Sequence, residues 1–231
     1  MLESLKSIVC EGNLELHRRG LVVETWGNVS GVDRDSGTMV IKPSGVPYSK
    51  LRPEDMVVLS LATGQVVEGT LRPSSDTPTH LELYRAFPAI GGVTHTHSLY
   101  ATAWAQACRD IPAFGTTHAD YFAGPVPCTK PLSDADIQGD YEANTGKVIV
   151  ERIGSLGVLE FPAVLVANHG PFTWGPDVEK AVENASVLEH LAHLAIETLR
   201  VESQTGGIGR TLLEKHFRRK HGPNRYYGQK G

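Results

Sequence analysis

Hydrophobic residues recur at helical spacing at both ends of the chain. Over residues 2–19 they follow one another every three or four positions with charged residues between them, which predicts an amphipathic helix that ends near Gly20. The longest stripe of this kind predicts a helix from Asp177 to about Val201, and a basic helix is predicted over residues 211–220. Further helical patterns occupy residues 78–87, 101–106 and 134–153, the last with a glycine-containing interruption.

Short apolar and β-branched runs lie between these helices and are bounded by turn formers, which is typical of strands. They occupy residues 25–30, 38–41, 56–59, 65–69, 91–98, 163–167 and 172–174. The first four are joined mainly by turns, so we expect an antiparallel meander behind the first helix. The sequence has no internal repeat and no clear domain boundary before Gly206, which predicts one domain.

Composition narrows the class of protein. The chain has 231 residues and a formal net charge of −4, so no basic surface for nucleic acid or an anionic membrane is indicated. Its cysteines, Cys10, Cys108 and Cys128, are odd in number and far apart, which favours reduced thiols and a cytoplasmic location. The first residues do not resemble a signal peptide, and no apolar stretch of 18 residues occurs, so we expect a soluble protein.

Candidate metal ligands stand where apolar runs end. Side chains alternate along a strand, so His95 and His97 are expected to point to the same side. Together with His169 and Asp76 they would provide three neutral nitrogen ligands and one carboxylate, a set that suits Zn²⁺ or a similar divalent ion. Two alternatives are that these are unrelated histidines, and that Asp76 caps the helix predicted to begin nearby.

Three small polar turns could bind a phosphate group. They are Gly27-Asn28, Ser44-Gly45 and Ser74-Ser75, and Lys42 could add a positive charge. Each turn taken alone is better explained as an ordinary chain reversal. The two glycine-rich nucleotide motifs, G-x-x-x-x-G-K-[ST] and G-x-G-x-x-G, are absent from the sequence, which argues against nucleotide-dependent chemistry.

Acid–base chemistry could come from the polar segment 115–131 and from the C-terminal tail. The segment is too polar for a core strand and too long for a simple connection, which favours a functional loop. The tail is rich in basic and aromatic residues, so it is either a solvated helix face or an arm that reaches into a neighbouring subunit. The candidate side chains are His118 and Asp120 in the segment, His216 and Tyr227 in the tail, and Glu142 in the helical stretch that follows the segment.

Several motifs together resemble a known family. They are residues 25–30, 42–46, 73–80, 95–98, 115–122, 169–172 and 226–229. In this pattern the chain is similar to the L-ribulose-5-phosphate 4-epimerases, which belong to the class II aldolase and adducin-head superfamily. The resemblance implies an α/β fold, a three-layer α/β/α arrangement with a mainly antiparallel central sheet. It also implies one domain over residues 1–231, a cyclic homotetramer with active sites at subunit interfaces, and a tail at 208–231 that reaches the neighbouring subunit.

The resemblance also implies roles for individual residues. The implied metal ligands are Asp76, His95, His97 and His169. The implied substrate and phosphate contacts are Gly27, Asn28, Lys42, Ser44, Gly45, Ser74 and Ser75, with His216 and Arg219 from the tail. The implied acid–base pair is Asp120 with Tyr227 of the adjacent subunit. Aspartate rather than glutamate at position 76 is the variant that goes with epimerases, and Ala167-Asn168 before His169 is a small departure from the pattern.

The function implied is a zinc-dependent interconversion of L-ribulose 5-phosphate and D-xylulose 5-phosphate, with one Zn²⁺ or another divalent ion per subunit. The reaction would proceed by retro-aldol cleavage of C3–C4 and re-addition, as a step in the catabolism of arabinose or of ascorbate-like sugars. The expected partners are the sugar phosphate and other copies of the chain, without nucleic acid or membrane. One alternative is a class II sugar-phosphate aldolase, a lyase that releases the aldehyde. The other is a non-catalytic binding module like the adducin head.

Overall fold

The computed structural model describes residues 2–221 and 225–227. The helices are α1 (Leu2–Arg18), α2 (Thr77–Ala86), α3 (Leu99–Gln106), α4 (Thr116–Ala119), α5 (Asp134–Gln138), α6 (Tyr141–Ile153), α7 (Val178–Val201) and α8 (Arg210–His221). The strands are β1 (Asn28–Asp33), β2 (Thr38–Ile41), β3 (Val57–Ser60), β4 (Val66–Glu68), β5 (Gly92–His95), β6 (Ala163–Leu165) and β7 (Pro171–Gly175). The predicted helices and strands are therefore all present, with shifted ends in several cases.

The seven strands form one sheet in the order β4-β3-β2-β1-β5-β7-β6, and every neighbouring pair is antiparallel. The first four strands are consecutive neighbours, which confirms the predicted meander. At the centre, β5 lies between β1 and β7, and His95 pairs with Asn28 on one side and with Phe172 on the other. The ends of three adjacent strands therefore meet at His95.

Helices cover both faces of the sheet. Along β2, Met39 and Ile41 point into a core that includes side chains of α2 and α6. The intervening Val40 points to the opposite core, which includes Val9 of α1 and Val178 of α7. A third cluster joins α3 and α7 to β6. This alternation confirms the α/β fold class with three layers and an antiparallel central sheet.

Two strand boundaries near the candidate ligands differ from the prediction. The β1 strand begins at Asn28 rather than at residue 25, because Gly27 has a positive φ of 79° and turns the chain. The β5 strand ends at His95, so the prediction that His97 lies in the same strand was wrong. After His95 the chain makes one long contact of 3.4 Å, from the Thr96 N–H to the Pro171 carbonyl, and turns into α3.

The remaining segments agree more closely with expectation. Segment 115–131 is largely irregular, as predicted, but contains the short helix α4. The helical stretch 134–153 is interrupted at Gly139, where α5 ends and α6 follows. Gly228 and Gln229, which belong to the predicted tail motif, lie outside the described residues. Within the part of the chain that the structure describes, no helix is long and apolar enough to cross a membrane.

Candidate metal centre and active site

Three imidazole rings meet where the central strands end. His95 is the last residue of β5, His97 follows it by two positions, and His169 lies in the turn between β6 and β7. The ring centroids are 4.8 Å apart for His95–His97 and His95–His169, and 5.1 Å apart for His97–His169. One nitrogen of each ring lies within 4.8 Å of the other two. Three of the four predicted ligands are therefore brought together.

Hydrogen bonding fixes which nitrogen of His95 is free. Its Nδ1 lies 2.9 Å from the carbonyl oxygen of Pro171, which can only accept, so Nδ1 carries the proton. The lone pair is then on Nε2, which lies 3.1 Å from Nε2 of His97. Two ring nitrogens this close need a proton or a cation between them. The arrangement therefore fits a bound metal ion.

Burial keeps two of these rings uncharged. Burial, with a smaller contribution from the neighbouring imidazoles, lowers the pKa of His97 to about 4 and that of His169 to about 3 against the opposing effect of the Asp76 carboxylate. Near neutral pH both rings are neutral and offer lone pairs, which is the form that binds metal ions. Three neutral imidazoles are a common ligand set for Zn²⁺, so the donor chemistry fits a divalent ion of that kind.

Asp76 lies beside this cluster, where it accepts a hydrogen bond from Asn28 instead of capping α2. It occupies the position before α2, but its side chain makes no capping hydrogen bond, so the alternative that it caps the helix was wrong. Instead its Oδ2 accepts a hydrogen bond of 2.6 Å from Nδ2 of Asn28. The carboxylate lines the same cavity as the histidines but is not among the three groups whose ligand atoms lie within 4.8 Å of one another. Its role as a ligand remains a prediction.

The histidines open into a cavity of about 510 Å³. Its walls include all four predicted metal ligands and every predicted substrate contact that precedes the tail. The residues that line it are Thr25, Trp26, Gly27, Asn28, Lys42, Pro43, Ser44, Gly45, Ser74, Ser75, Asp76, His95, His97, Tyr141, Glu142 and His169. The three polar turns, far apart in sequence, therefore border one space.

Lys42 supplies positive charge to this cavity. The residue is only 2% exposed, and its Nζ donates to the carbonyl of Thr25 at 3.3 Å and lies 4.9 Å from the centroid of the Tyr48 ring. Burial lowers the pKa of Lys42 to about 8, against the opposing effect of the Asp76 carboxylate. The ammonium group is thus charged at neutral pH, and its second hydrogen bond, to the Pro43 carbonyl, is also long at 3.4 Å.

Gly27 allows the backbone to pass close to His95. A Cβ at this position would lie 2.9 Å from the carbonyl oxygen of His95, and the φ of 79° already disfavours other residues. This close passage leads directly into β1, where Asn28 is paired with His95. The glycine is therefore needed to place the Asn28 amide at the cavity.

The predicted residues of the tail form a second cluster with Asp120. Nε and Nη2 of Arg219 donate to the two carboxylate oxygens of Asp120 at 3.0 and 2.6 Å, and Nδ1 of His216 lies 3.0 Å from Oδ1. Burial alone would raise the pKa of Asp120, but the bonds from Arg219 and His216 lower it below its usual value. The Tyr227 ring lies under Arg219, with 4.7 Å from its centroid to the guanidinium carbon. None of these residues is among those that line the histidine cavity of the same chain.

Tyr141 and Trp26 also line the cavity, although the sequence predicted no role for either side chain. The hydroxyl of Tyr141 lies 3.3 Å from Nδ1 of His169, and the Trp26 ring lies 6.2 Å from that of His97. The only available signal for Tyr141 was its place at the start of a predicted helix, next to the candidate Glu142. The candidate His118, by contrast, does not line this cavity; it is buried, and its Nε2 lies 2.8 Å from the Gly124 carbonyl.

Solved structures share this fold over almost the whole chain. An L-fuculose 1-phosphate aldolase is 25% identical, with a TM-score of 0.77 over 92% of this chain and 94% of its own. YgbL from Klebsiella pneumoniae, described as a putative aldolase, epimerase or decarboxylase, is 25% identical, with a TM-score of 0.71 over 93% of this chain and 98% of its own. The L-fuculose-1-phosphate aldolase of Thermus thermophilus, at 23% identity and a TM-score of 0.68, covers 89% of this chain and is itself fully covered. At this identity, the similarity to the Thermus thermophilus enzyme is evidence for a shared fold only.

A family model gives the broader relationship. The model of the class II aldolase and adducin N-terminal domain matches residues 7–196. That range contains the histidine cluster, Asp76 and the three polar turns, and it excludes α8 and the tail. The chain belongs to the class II aldolase and adducin N-terminal domain family.

Proposed function

We propose that this chain is a metal-dependent sugar-phosphate epimerase that interconverts L-ribulose 5-phosphate and D-xylulose 5-phosphate. The observation that carries the proposal is that three clustered histidines, which could hold a metal ion, and three polar turns suited to phosphate border one cavity of about 510 Å³. A ligand with a phosphate at one end and adjacent carbonyl and hydroxyl oxygens at the other matches this distribution of groups. The ion proposed is Zn²⁺, held by His95, His97 and His169 with Asp76.

The phosphate end is assigned to the turns at 44–45 and 74–75 and to Lys42. Serine hydroxyls, backbone N–H groups and one ammonium group favour a doubly charged phosphate without a nucleotide fold. Ser74 and Ser75 also precede α2, whose N-terminal N–H groups favour negative charge nearby. The buried Oδ1 of Asn28 has no hydrogen-bond partner among the described residues, which suits a sugar hydroxyl as donor.

Inversion at C4 needs a bond to break. The C4 hydrogen is not adjacent to the C2 ketone, so simple enolisation cannot remove it. When a base removes the proton of the C4 hydroxyl, the C3–C4 electron pair moves onto the three-carbon fragment and glycolaldehyde phosphate is formed. A divalent ion would supply Lewis acidity that stabilises the negative charge developing on that fragment. Re-addition to the other face of the aldehyde, with protonation of the new C4 oxygen, gives the epimer without net change in atoms.

Two groups on opposite sides of C4 are required for these proton transfers. We assign them to Asp120 and to Tyr227 of an adjacent subunit in a homotetramer. An ionised carboxylate can accept a proton, and a phenol hydroxyl can donate one. Neither residue lines the histidine cavity of its own chain, so the proposal requires that a neighbouring subunit completes the site.

The test is a coupled assay that follows D-xylulose 5-phosphate from L-ribulose 5-phosphate, before and after treatment with a chelator. We expect turnover that is lost with the metal and restored by Zn²⁺. In the same reactions, free glycolaldehyde phosphate should remain a small fraction of the product. No turnover by protein with confirmed stoichiometric metal would refute the epimerase assignment.

A sugar-phosphate aldolase is the second candidate, favoured by the likeness to an L-fuculose 1-phosphate aldolase over almost the entire chain. It would share the metal, the cavity and the bond cleavage, but would release the aldehyde. Accumulation of glycolaldehyde phosphate, or turnover of a different ketose 1-phosphate only, would favour this candidate. A protein that binds no metal and turns over no sugar phosphate would instead favour a binding module.

A further inference from the structure

The hydroxyl of Tyr141 faces the outer nitrogen of a histidine in the cluster. Its oxygen lies 3.3 Å from Nδ1 of His169, and the two rings are 6.2 Å apart between centroids and tilted by 30°. This contact leaves Nε2 as the nitrogen of His169 that would be available to an ion. A hydrogen bond on one imidazole nitrogen determines which tautomer presents its lone pair on the other.

His95 and His169 are held in the same way by different groups. The Pro171 carbonyl accepts from Nδ1 of His95 at 2.9 Å, and that contact comes from the backbone of the sheet. His169 lies in a turn and has the Tyr141 side chain in the corresponding place. A side-chain partner can be deleted without altering the backbone, so its contribution can be measured.

The position of Tyr141 is set by helix packing. It is the first residue of α6, and the hydroxyl of Thr79 in α2 donates to the carbonyl of the next residue, Glu142, at 2.6 Å. Farther along α6, Gly146 faces Glu82 so closely that an added Cβ would come within 2.5 Å of the Glu82 Cβ. The two helices therefore form one unit, which carries Asp76 at the start of α2 and Tyr141 at the start of α6.

We propose that Tyr141 is a positioning residue for the metal site, accepting the Nδ1–H of His169 and thereby presenting Nε2 of that ring to the ion. The inference rests on the metal site of the proposed function, but not on the substrate or on the reaction. Outer-sphere partners of this type change metal affinity by about 10- to 100-fold when they are removed. Tyr141→Phe deletes one oxygen atom and keeps the ring.

The experiment measures the dissociation constant for Zn²⁺ by competition with a chromophoric chelator. Wild type, Tyr141→Phe and the matched control Tyr100→Phe are compared. Tyr100 lies in α3, stacked on His193 at 3.8 Å, and does not line the cavity. We expect affinity to fall about 10- to 100-fold in Tyr141→Phe and by less than about threefold in the control. The visible spectrum of the Co²⁺-substituted protein should also change in Tyr141→Phe alone.

Thermal unfolding of the metal-free proteins separates positioning from folding. We expect metal-free Tyr141→Phe to unfold near the wild-type temperature. Unchanged Zn²⁺ affinity, within about threefold, together with an unchanged Co²⁺ spectrum, would overturn the inference even if the enzyme is an epimerase. If the wild-type enzyme proves to be an aldolase, weaker Zn²⁺ binding by Tyr141→Phe would still uphold the inference, because the experiment measures metal binding rather than turnover.

Discussion

The side-chain amide of Asn28 donates a hydrogen bond of 2.6 Å to Oδ2 of Asp76. Asn28 lies at the start of β1 and Asp76 just before α2, so this contact joins the sheet to the helical layer at the cavity. The same amide nitrogen lies 3.1 Å from the Ser74 hydroxyl. A carboxylate can only accept, so the orientation of the amide is determined by Asp76.

Removing the side-chain amide of Asn28 should leave the carboxylate of Asp76 less well oriented. In Asn28→Ala we expect Zn²⁺ affinity to fall by about 10-fold, because the carboxylate loses the donor that orients it. Competition with a chromophoric chelator measures the effect. The matched control is Asn144→Ala in α6, whose amide donates to the Asp136 carbonyl away from the cavity. Equal affinities in the two variants would show that Asp76 does not depend on Asn28.

The charge of Lys42 should control substrate capture at high pH. With a pKa of about 8 in the free protein, Lys42 loses its proton as the pH rises past that value. Because kcat/KM reports on the free enzyme, it should fall about tenfold per pH unit above the pKa. Profiles of kcat/KM against pH should show this fall at alkaline pH, the alkaline limb, in wild type. In Lys42→Arg the limb should move to higher pH.

Lys42→Met should have low kcat/KM at every pH, without that limb. The control Lys50→Met removes an exposed lysine nearby and should keep the wild-type profile. A limb near pH 8 that persists in Lys42→Met would mean that another group is responsible for it.

Active sites shared between subunits should permit complementation. His97→Gln removes a metal-cluster residue, and Tyr227→Phe removes the proposed acid from the tail. Mixed tetramers of two inactive variants would contain some sites with both residues intact, so up to about a quarter of wild-type activity should return. Subunits are exchanged under mild denaturation and assayed. Mixtures that stay inactive would place both residues in the same site of one chain.

Packing between α2 and α6 should be sensitive to one methyl group. Gly146→Ala brings a Cβ within 2.5 Å of the Glu82 Cβ and 3.2 Å of the Thr79 carbonyl, so the helices must separate. We expect a loss of about 1–3 kcal/mol in the free energy of unfolding, beyond the small gain in helix propensity. Urea denaturation measures it.

Gly206→Ala is the control, since a Cβ there meets no atom within 4 Å. It should leave stability nearly unchanged. Equal urea midpoints for the two variants would show that α2 and α6 can adjust without strain.

Local sequence pattern was sufficient for the elements but not for their assembly. The period of the apolar residues predicted α1 and α7, and the turns of the meander predicted the order of four of the seven strands. The three-layer arrangement was implied by the family resemblance. The alternation of side chains along a β-strand predicted that His95 and His97 would converge. The two rings do converge, although the strand ends before His97. The contact between Tyr141 and His169 depends on how α6 packs on α2, which no local pattern encodes. Nor could the sequence show that Asn28, rather than the helix end, holds Asp76.

The pairing of His95 with Asn28 on one side and with Phe172 on the other places this candidate ligand on an interior strand of the sheet. Central strands of this kind open only when the whole domain unfolds, so their amide hydrogens exchange slowly. The metal-free protein should consequently hold its ligands ready, and an arriving ion would meet a preorganised site rather than organise one. Removal of the metal would then abolish activity without unfolding the protein. Adding the ion back would restore activity through binding alone, with no refolding step.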